Sequence, residues 1–551
     1  MKKKVFALLL VSAMVLSLLA GCSEQKSDGT DPASTGGAGN STADGSAADS
    51  SGSGEKVKLK AILLKHPLTQ EAAKMEWLKK AEEAAGVEIA YEEISADWAQ
   101  IKGTLLASGD IPDLIIGAGG LIDADFITFN GLFQDMNELI PDNAPNIQKM
   151  FAEHPELEEI SKQESGAIFG LPKYQRFWPA TATRQFINKQ WLDNLELEVP
   201  ATLDELYNVL LAFKTEDANG NGDPNDEIPM DWAPGFGYFH STNMLGGYGI
   251  TLSDGSFHGF FVEDGAVKNF FTDERYKDLV IFLNKCYTAG LINTEVFTQD
   301  YSTFQSIARG SETDAAVGFT FGWERADRVG LLLADQYAAV SPIKASADQT
   351  ANVSWSYDYN SLNYSKNMIS MSAACENKEA AMKFIDQFYD PEVSLQVLFG
   401  SLGTNIQKND DGSYHILPPA DSSVDPGTWK WTSTLADNGP MYVADDLVVT
   451  LGTDMISNLK DTVPFDEAFA NVDLNKSVLP FSFIKYSDED STDLANNNTN
   501  IETLCHAKFA SWIAEGGIEN EWDQYLKDCE NAGMPQSIEI YQKYVDSYYQ
   551  N

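Results

Sequence analysis

The stretch Asp217 to Pro229, DANGNGDPNDEIP, alternates oxygen-bearing side chains with small residues. Asp217, Asn219 and Asn221 stand at positions one, three and five, and Gly222 at six. Alternate oxygen ligands ahead of a glycine that permits a sharp turn open an EF-hand-like calcium loop, in which Asp223 at position seven offers its backbone carbonyl. The glutamate that normally closes such a loop at position twelve is missing, for Ile228 stands there. No apolar face runs through the segment, so the alternative is a solvated acidic loop held by Asx turns. A cation held within one loop would be structural, because no reactive position is left over.

A second group of residues is suited to recognition. The chain has 11 tryptophans and 21 tyrosines, and Trp98, Trp178, Trp232, Trp323, Trp355, Trp429 and Trp431 stand in polar, loop-like surroundings. A lone tryptophan is ordinarily core, so clusters carry the argument. LPKYQRFW brings Tyr174, Arg176 and Trp178 together, with Arg184 following; FGWERADR places Trp323, Glu324 and Arg325 just after an apolar strand. SWSYDYN alternates Trp355, Tyr357 and Tyr359 along one strand face, a stripe that either meets a ligand or packs under a hinge; GTWKWT sets Trp429 and Trp431 on one face. Flat rings with fixed hydrogen-bonding groups are the usual mixture of a small-molecule site. Cys286, Cys375, Cys505 and Cys529 show no CxxC or Cys–His metal spacing, and the six histidines are scattered. Cys505 with Cys529 is the candidate disulfide, and buried free thiols are the alternative.

Such residues need a large body to position them. With 551 residues, 43% of them hydrophobic, the chain can bury the cores of two or more lobes. Its 82 acidic against 38 basic residues give a formal net charge of -44, which repels phosphate backbones and excludes nucleic acid as a partner. Residues 1–21 have the layout of a secretory signal peptide: three lysines, an apolar run and small residues. The closing LAGC, Leu19 to Cys22, resembles the bacterial lipobox, in which the cysteine is lipidated and becomes the new N-terminus; a plain signal peptide is the alternative. Residues 22–56 are a lipidated cysteine and a Ser-, Gly-, Ala- and Asp-rich tether with too little apolar surface to order itself.

The body then alternates strand and helix. KVKLKAILL, VEIAYEEI and DLIIGAGG read as strands, separated by helices over TQEAAKMEWLKKAEEAAG and DWAQIKGTLLASG. That order predicts a parallel sheet whose ligands bind outside the carboxyl ends of the strands. The loops Lys65–Pro67, Ser95–Trp98 and Gly117–Gly120 are therefore binding candidates. A second set of elements follows: helices over LDELYNVLLAFKT and RYKDLVIFLNKCYTAGL, a buried strand over AAVGFTFGW, and a helix over KEAAMKFIDQFYDP stopped by Pro391.

KMEWL, ISADW, LASGDIPDL, GLFQDM, GLPKYQRFWP, AFKTEDANGNGDPNDEIP, KNFFTDERYK, WSYDY and DPGTWKWTST together resemble the extracellular solute-binding lipoproteins of Gram-positive ABC importers, the large family related to alginate-oligosaccharide and aldouronate binding proteins. The resemblance runs through the whole mature body. It implies an α/β fold of the bilobal periplasmic-binding-protein type II, with residues 57–180 and 367–405 in the first lobe, 181–366 and 406–551 in the second, and a hinge between them. It implies no catalysis: a monomer, lipid-anchored on the extracytoplasmic face of the membrane, captures an oligosaccharide and delivers it to ABC permease subunits. Relatives close the acidic loop early with an Asp-Glu pair, matched here by Asp226 and Glu227. Sugar rings have apolar C–H faces and polar rims, so Trp323 and Trp429 are expected as stacking platforms from the second lobe, faced by Asp97, Trp98 and Arg176. Tyr174, Arg325, Trp355 and Tyr357 complete the expected ligand contacts. Lys173, Arg176, Arg184 and Arg325 could pair with a uronate carboxylate or with the protein's own acids. The competing classes are a secreted glycoside hydrolase, whose paired carboxylates no spacing singles out, and a calcium-stabilised adhesin.

Overall fold

The first strand of the body shows why its sequence changes character part-way. Lys58 and Lys60 point to solvent while Leu59 is buried, and from Ala61 onward both faces are covered. The computed structural model describes residues 56–253, 257–311, 313–421, 426–452 and 459–550; the signal peptide, Cys22 and the tether up to residue 55 lie outside them. Nine strands build the two main sheets: β1 (Val57–Leu64), β2 (Val87–Ile94), β3 (Leu114–Ile116), β4 (Gly170–Tyr174), β5 (Arg184–Asn188), β6 (Ile228–Met230), β7 (Val317–Gly322), β8 (Tyr337–Ala339) and β9 (Tyr364–Met371).

The first sheet has the order β2-β1-β3-β9-β4. β1 pairs in parallel with β2 and β3, as the β-α-β-α-β reading requires, whereas β9 runs antiparallel between β3 and β4. β2 is an edge strand and keeps the alternation of buried and exposed residues; β3, covered on both faces, is apolar throughout. The second sheet has the order β8-β5-β7-β6, with β6 parallel to β7 and β5 antiparallel to both β7 and β8.

Each sheet nucleates its own core. Leu59, Trp77, Leu114, Ile369, Met382 and Leu395 lie in the first, and Phe186, Leu206, Phe213, Phe319, Trp355 and Phe509 in the second. Both belong to the single compact unit that begins at Lys56. The helix Leu203–Thr215 of the second lobe starts in a capping box, with Thr202 and Glu205 satisfying each other's backbone N–H groups. Three C-terminal helices, Asp488–Glu515, Ile518–Asn531 and Met534–Gln550, cover the second core through Ile501, Phe509, Trp512, Tyr525 and Val545. Among the described residues no helix is long and apolar enough to cross a membrane.

Several details depart from the sequence reading. The chain does not return to the second lobe at residue 406 but only from about Phe465: Ile406, Tyr414, Ile416, Leu435 and Met441 to Ala444 are buried in the first core, and Leu447, Val449 and Leu451 pack on it. A small sheet of Ile406–Lys408, Tyr414–Ile416 and Val449–Thr450 holds this extension together. Pro391 stops no helix; it is the first residue of the helix Pro391–Phe399, whose N-cap Asp390 accepts from the backbone N–H groups of Glu392 and Val393. The Cys505 and Cys529 sulfurs stand 3.9 Å apart, and both are buried free thiols. That separation is about twice a disulfide bond, and the Tyr525 hydroxyl donates to the Cys505 sulfur instead.

Two segments, residues 175–183 and 356–363, connect the lobes side by side. Asn363, fully buried, donates to the carbonyl of Trp178 and accepts from its N–H, while its own carbonyl accepts from the Gln175 N–H. Asp358, also fully buried, accepts from the Ala182 N–H and donates its own backbone N–H to the Ala180 carbonyl. The two crossings thus form one strap. Asn363→Ala should remove two hydrogen bonds to the Trp178 backbone and lower stability by roughly 1–3 kcal/mol. Calorimetric melting measures this, and an unchanged profile would mean that the backbone alone holds the strap.

Candidate functional site

β4 runs in the same direction as β1, β2 and β3, because both β3 and β4 are antiparallel to β9. The loops Lys65–Pro67, Ser95–Trp98 and Gly117–Gly120 and the segment Gln175–Trp178 therefore leave the first sheet at one edge. In the second sheet Arg184, the first residue of β5, pairs with Gly322, the last of β7. The strap thus carries the chain from the carboxyl edge of one sheet to the carboxyl edge of the other. Trp178 of the first edge meets Trp323 of the second, edge-on, with ring centroids 6.1 Å apart and planes at 86°. The site lies where the carboxyl ends of parallel strands in both lobes converge.

On the first lobe Asp97 is exposed and caps the helix Trp98–Ser108 in a left-handed conformation, φ 59°, with no side-chain capping bond. The Trp98 indole donates to the Gly120 carbonyl at 2.8 Å and so ties two of the edge loops together. Gly117 of that loop has φ 129°, and a Cβ there would come within 2.7 Å of the Leu64 Cβ, so the β3 exit can only be glycine in this packing. The His66 ring stacks on Trp431 at 4.4 Å, and the Thr69 hydroxyl and Gln70 N–H bond to carbonyls of residues 431–434.

These last contacts correct the placement of Trp429. It lies on the helix Pro426–Ser433, which is fastened to the first lobe, so it is no second-lobe platform; residues two apart on a helix do not share a face, so it diverges from Trp431. Trp323 stands on the second lobe, where the sequence reading put it. Its ring lies under the Arg184 guanidinium at 4.9 Å, and Arg184 is wholly buried and bonded to the Trp323 carbonyl. Burial brings the Arg184 guanidinium down to about 10, against the opposing pull of Asp461, Glu324 and Asp466.

Other expected contacts are occupied by the protein itself. Tyr174 is buried among His154, Tyr364 and Tyr442, with its hydroxyl donating to Asp445, and burial first of all raises that hydroxyl's pKa. Arg176 donates to the carbonyls of Ala444 and Leu447. Arg325 donates to Asp461 at 2.8 Å and to the Tyr337 and Ala334 carbonyls. Trp355 is fully buried, its indole bonded to the Thr183 carbonyl beneath the strap, and Tyr357 packs against Phe469; SWSYDYN is irregular and then helical from Tyr359, so no exposed stripe forms. Sequence reasoning passed over Asp437. It accepts from the Trp178 indole at 2.8 Å and from Lys173 at 3.1 Å, after Ala436 in a left-handed conformation with φ 45°. No local pattern marks it, because its partners are more than 250 residues away in sequence.

The acidic loop lies at the opposite edge of the second sheet, entering β6 at its amino end. Asp217 accepts from the Gly222 N–H, Asn219 from Asn221 and Asn221 from Asp223, so the turn is held by its own side chains. Gly220 and Gly222 have φ of 77° and 96°. Glu227 is nearly buried and accepts the N–H groups of Ala218 and Asn219 through Oε1. Burial raises its pKa, while Asp217 Oδ1 and Glu227 Oε2 are buried without a partner. Both Asp226 oxygens accept from the Asn219 and Asn221 amides. Among the described residues no three Asp, Glu, His or Cys side chains stand together as a metal cluster, so amide and carbonyl oxygens would have to complete any cation shell.

Known proteins share this fold. The fructooligosaccharide ABC transporter substrate-binding protein FusA of Streptococcus pneumoniae is 28% identical over 518 residues, covering 90% of this chain and 91% of its own. Its structures with kestose and, as an EF-hand mutant, with fructo-nystose align at TM-score 0.78, with 26% and 25% identity, 90% of this chain and 100% of theirs. A solute-binding protein of Bifidobacterium longum infantis, described as binding HMO and associated with an ABC transporter, aligns at TM-score 0.82 with 30% identity over 90% of this chain and 99% of its own. A polygalacturonan/rhamnogalacturonan-binding protein of Bacillus subtilis is 29% identical over 196 residues, 34% of this chain and 35% of its own. Residues 66–394 match the family model of the bacterial extracellular solute-binding proteins, and the chain belongs to that family.

Proposed function

We propose that the protein captures an oligosaccharide in the cleft between its lobes and hands it to the membrane permease of an ABC importer. The observation that carries this reading is the right-angled pair Trp178 and Trp323, one ring from each lobe. A sugar lying in that corner would stack a C–H face on one ring and hold both lobes at once, and a ligand favours closure only through what it gains in the closed state. The oligosaccharide-binding relatives support the choice of ligand, and the family's role as binding proteins argues against catalysis. Saturable quenching of tryptophan fluorescence without sugar products would agree; turnover would refute it. Trp323→Ala should weaken binding by roughly 1–3 kcal/mol, taking base stacking on aromatics as the guide, with the fold intact. Undiminished affinity in titration calorimetry would place the ligand elsewhere.

The anchor is the Leu19–Cys22 motif, with Cys22 carrying the lipid and the body working as a monomer outside the membrane. A Cys22→Ser protein should be recovered in the medium rather than with the cells.

The Asp217–Glu227 loop we read as a structural calcium site. The two orphaned carboxylate oxygens support it, and Glu227 is the stronger closing ligand, since both oxygens of Asp226 already accept from amides. Calcium in that loop would be held by Asp217, Asn219, Asn221, the Asp223 carbonyl and Glu227, with Asp226 at the rim, and would supply charge neutralisation alone. EDTA should lower the melting temperature; Asp217→Ala and Glu227→Gln should do so without chelator, and Asp226→Asn much less. Identical melting in calcium and in EDTA would return the segment to a solvated loop.

A further inference from the structure

We propose that Asp437 is the fixed carboxylate of the cleft and that it confines the ligand to uncharged saccharides, excluding uronates. This rests on the oligosaccharide reading above and narrows it. The turn Ala436–Asn438 is pinned from both sides: the Asn438 carbonyl accepts from the Ala118 N–H at 3.0 Å, and the Asp437 carboxylate takes bonds from Trp178 and Lys173. The burial of that ion pair is lopsided. The Lys173 side chain is 4% exposed and that of Asp437 34%, so the cation is the enclosed partner and the anion, held against the Trp178 indole, is the accessible one. A carboxylate held beside an aromatic corner suits the hydroxyls on the rim of a stacked sugar, for which a charged acceptor makes the stronger hydrogen bond.

The cations that a uronate would need are engaged elsewhere. Lys65 pairs with Glu93, and Lys173 lies behind Asp437. Arg176 holds the Ala444–Leu447 turn by its carbonyls, and Arg325 holds Asp461. Arg184 is wholly buried and bonded to Trp323. A uronate brought into the corner would meet Asp437 before Lys173, which is buried behind it, and setting like charges together in a partly desolvated site opposes binding.

Titration calorimetry of the purified protein with kestose, maltotriose and xylotriose on one side and trigalacturonate on the other tests this. At least one neutral trisaccharide should bind, trigalacturonate should bind at least a hundredfold more weakly, and Asp437→Asn should weaken the neutral ligand by about 10- to 100-fold. Trigalacturonate binding as tightly as the neutral sugars would overturn the inference and leave oligosaccharide capture standing. Unchanged neutral affinity in Asp437→Asn would overturn the role of that carboxylate. Binding of neither series would overturn the capture reading and this inference with it. If Asp437→Asn does not fold because Lys173 is left buried and unpaired, the double variant Lys173→Gln, Asp437→Asn removes both charges and carries the same comparison.

Discussion

The strap between the lobes is the constraint on which the rest of the structure depends. Asn363 and Asp358 are polar and fully buried, and each is bonded to backbone of the opposite crossing. Buried polar groups are tolerated only when satisfied, so these two residues fix how residues 175–183 lie against 356–363. Because both crossings enter their sheets at the carboxyl edges, fixing them also fixes which edges oppose each other. Trp178 and Arg184 sit within or at the end of the strap, and the aromatic corner is its direct product.

Electrostatics shapes the cleft around that corner. In a chain of net charge -44, the scarce cations are placed by the acids and carbonyls around them. Arg325 and Lys173 each face a carboxylate, and Arg176 and Arg184 are bound to carbonyl oxygens. An acidic chain thus keeps its arginines as internal fasteners. The acidic loop follows the same logic at the far edge of the second sheet, where Glu227 is nearly buried beside Asp226.

Much of the first lobe was legible in the sequence, since β1, β2 and β3 and the helices between them are consecutive and each carries its period in a single window. The glycines and asparagines of the acidic loop were legible for the same reason: their partners lie within ten residues. The aromatic clusters were read less well. Trp323 follows a buried strand that its sequence announces, but for Trp355 the sequence left ligand contact and packing under a hinge both open, and the residue is the floor of the strap. Its neighbours Thr183 and Phe465 are more than a hundred residues away in sequence, and no local period reports such contacts. The lobe boundary at 405 failed similarly, because Ile406, Tyr414 and Ile416 join the core of Leu59, Leu114 and Leu171, residues far away in sequence.

The sequence by itself determined the family, the α/β alternation and the loop with cation-ligand spacing, because each rests on motifs or periodicities a short window contains. Tertiary structure decided which aromatic and charged side chains reach the cleft. Trp178 reaches Trp323 across the strap; Tyr174 and Trp355, equally aromatic in sequence, are enclosed in the cores beside it. Asp437 illustrates the difference most clearly. Its position depends on Lys173, Trp178 and Ala118, brought to it from the carboxyl ends of β4 and β3, and a carboxylate's role follows from what surrounds it in space rather than from its neighbours along the chain.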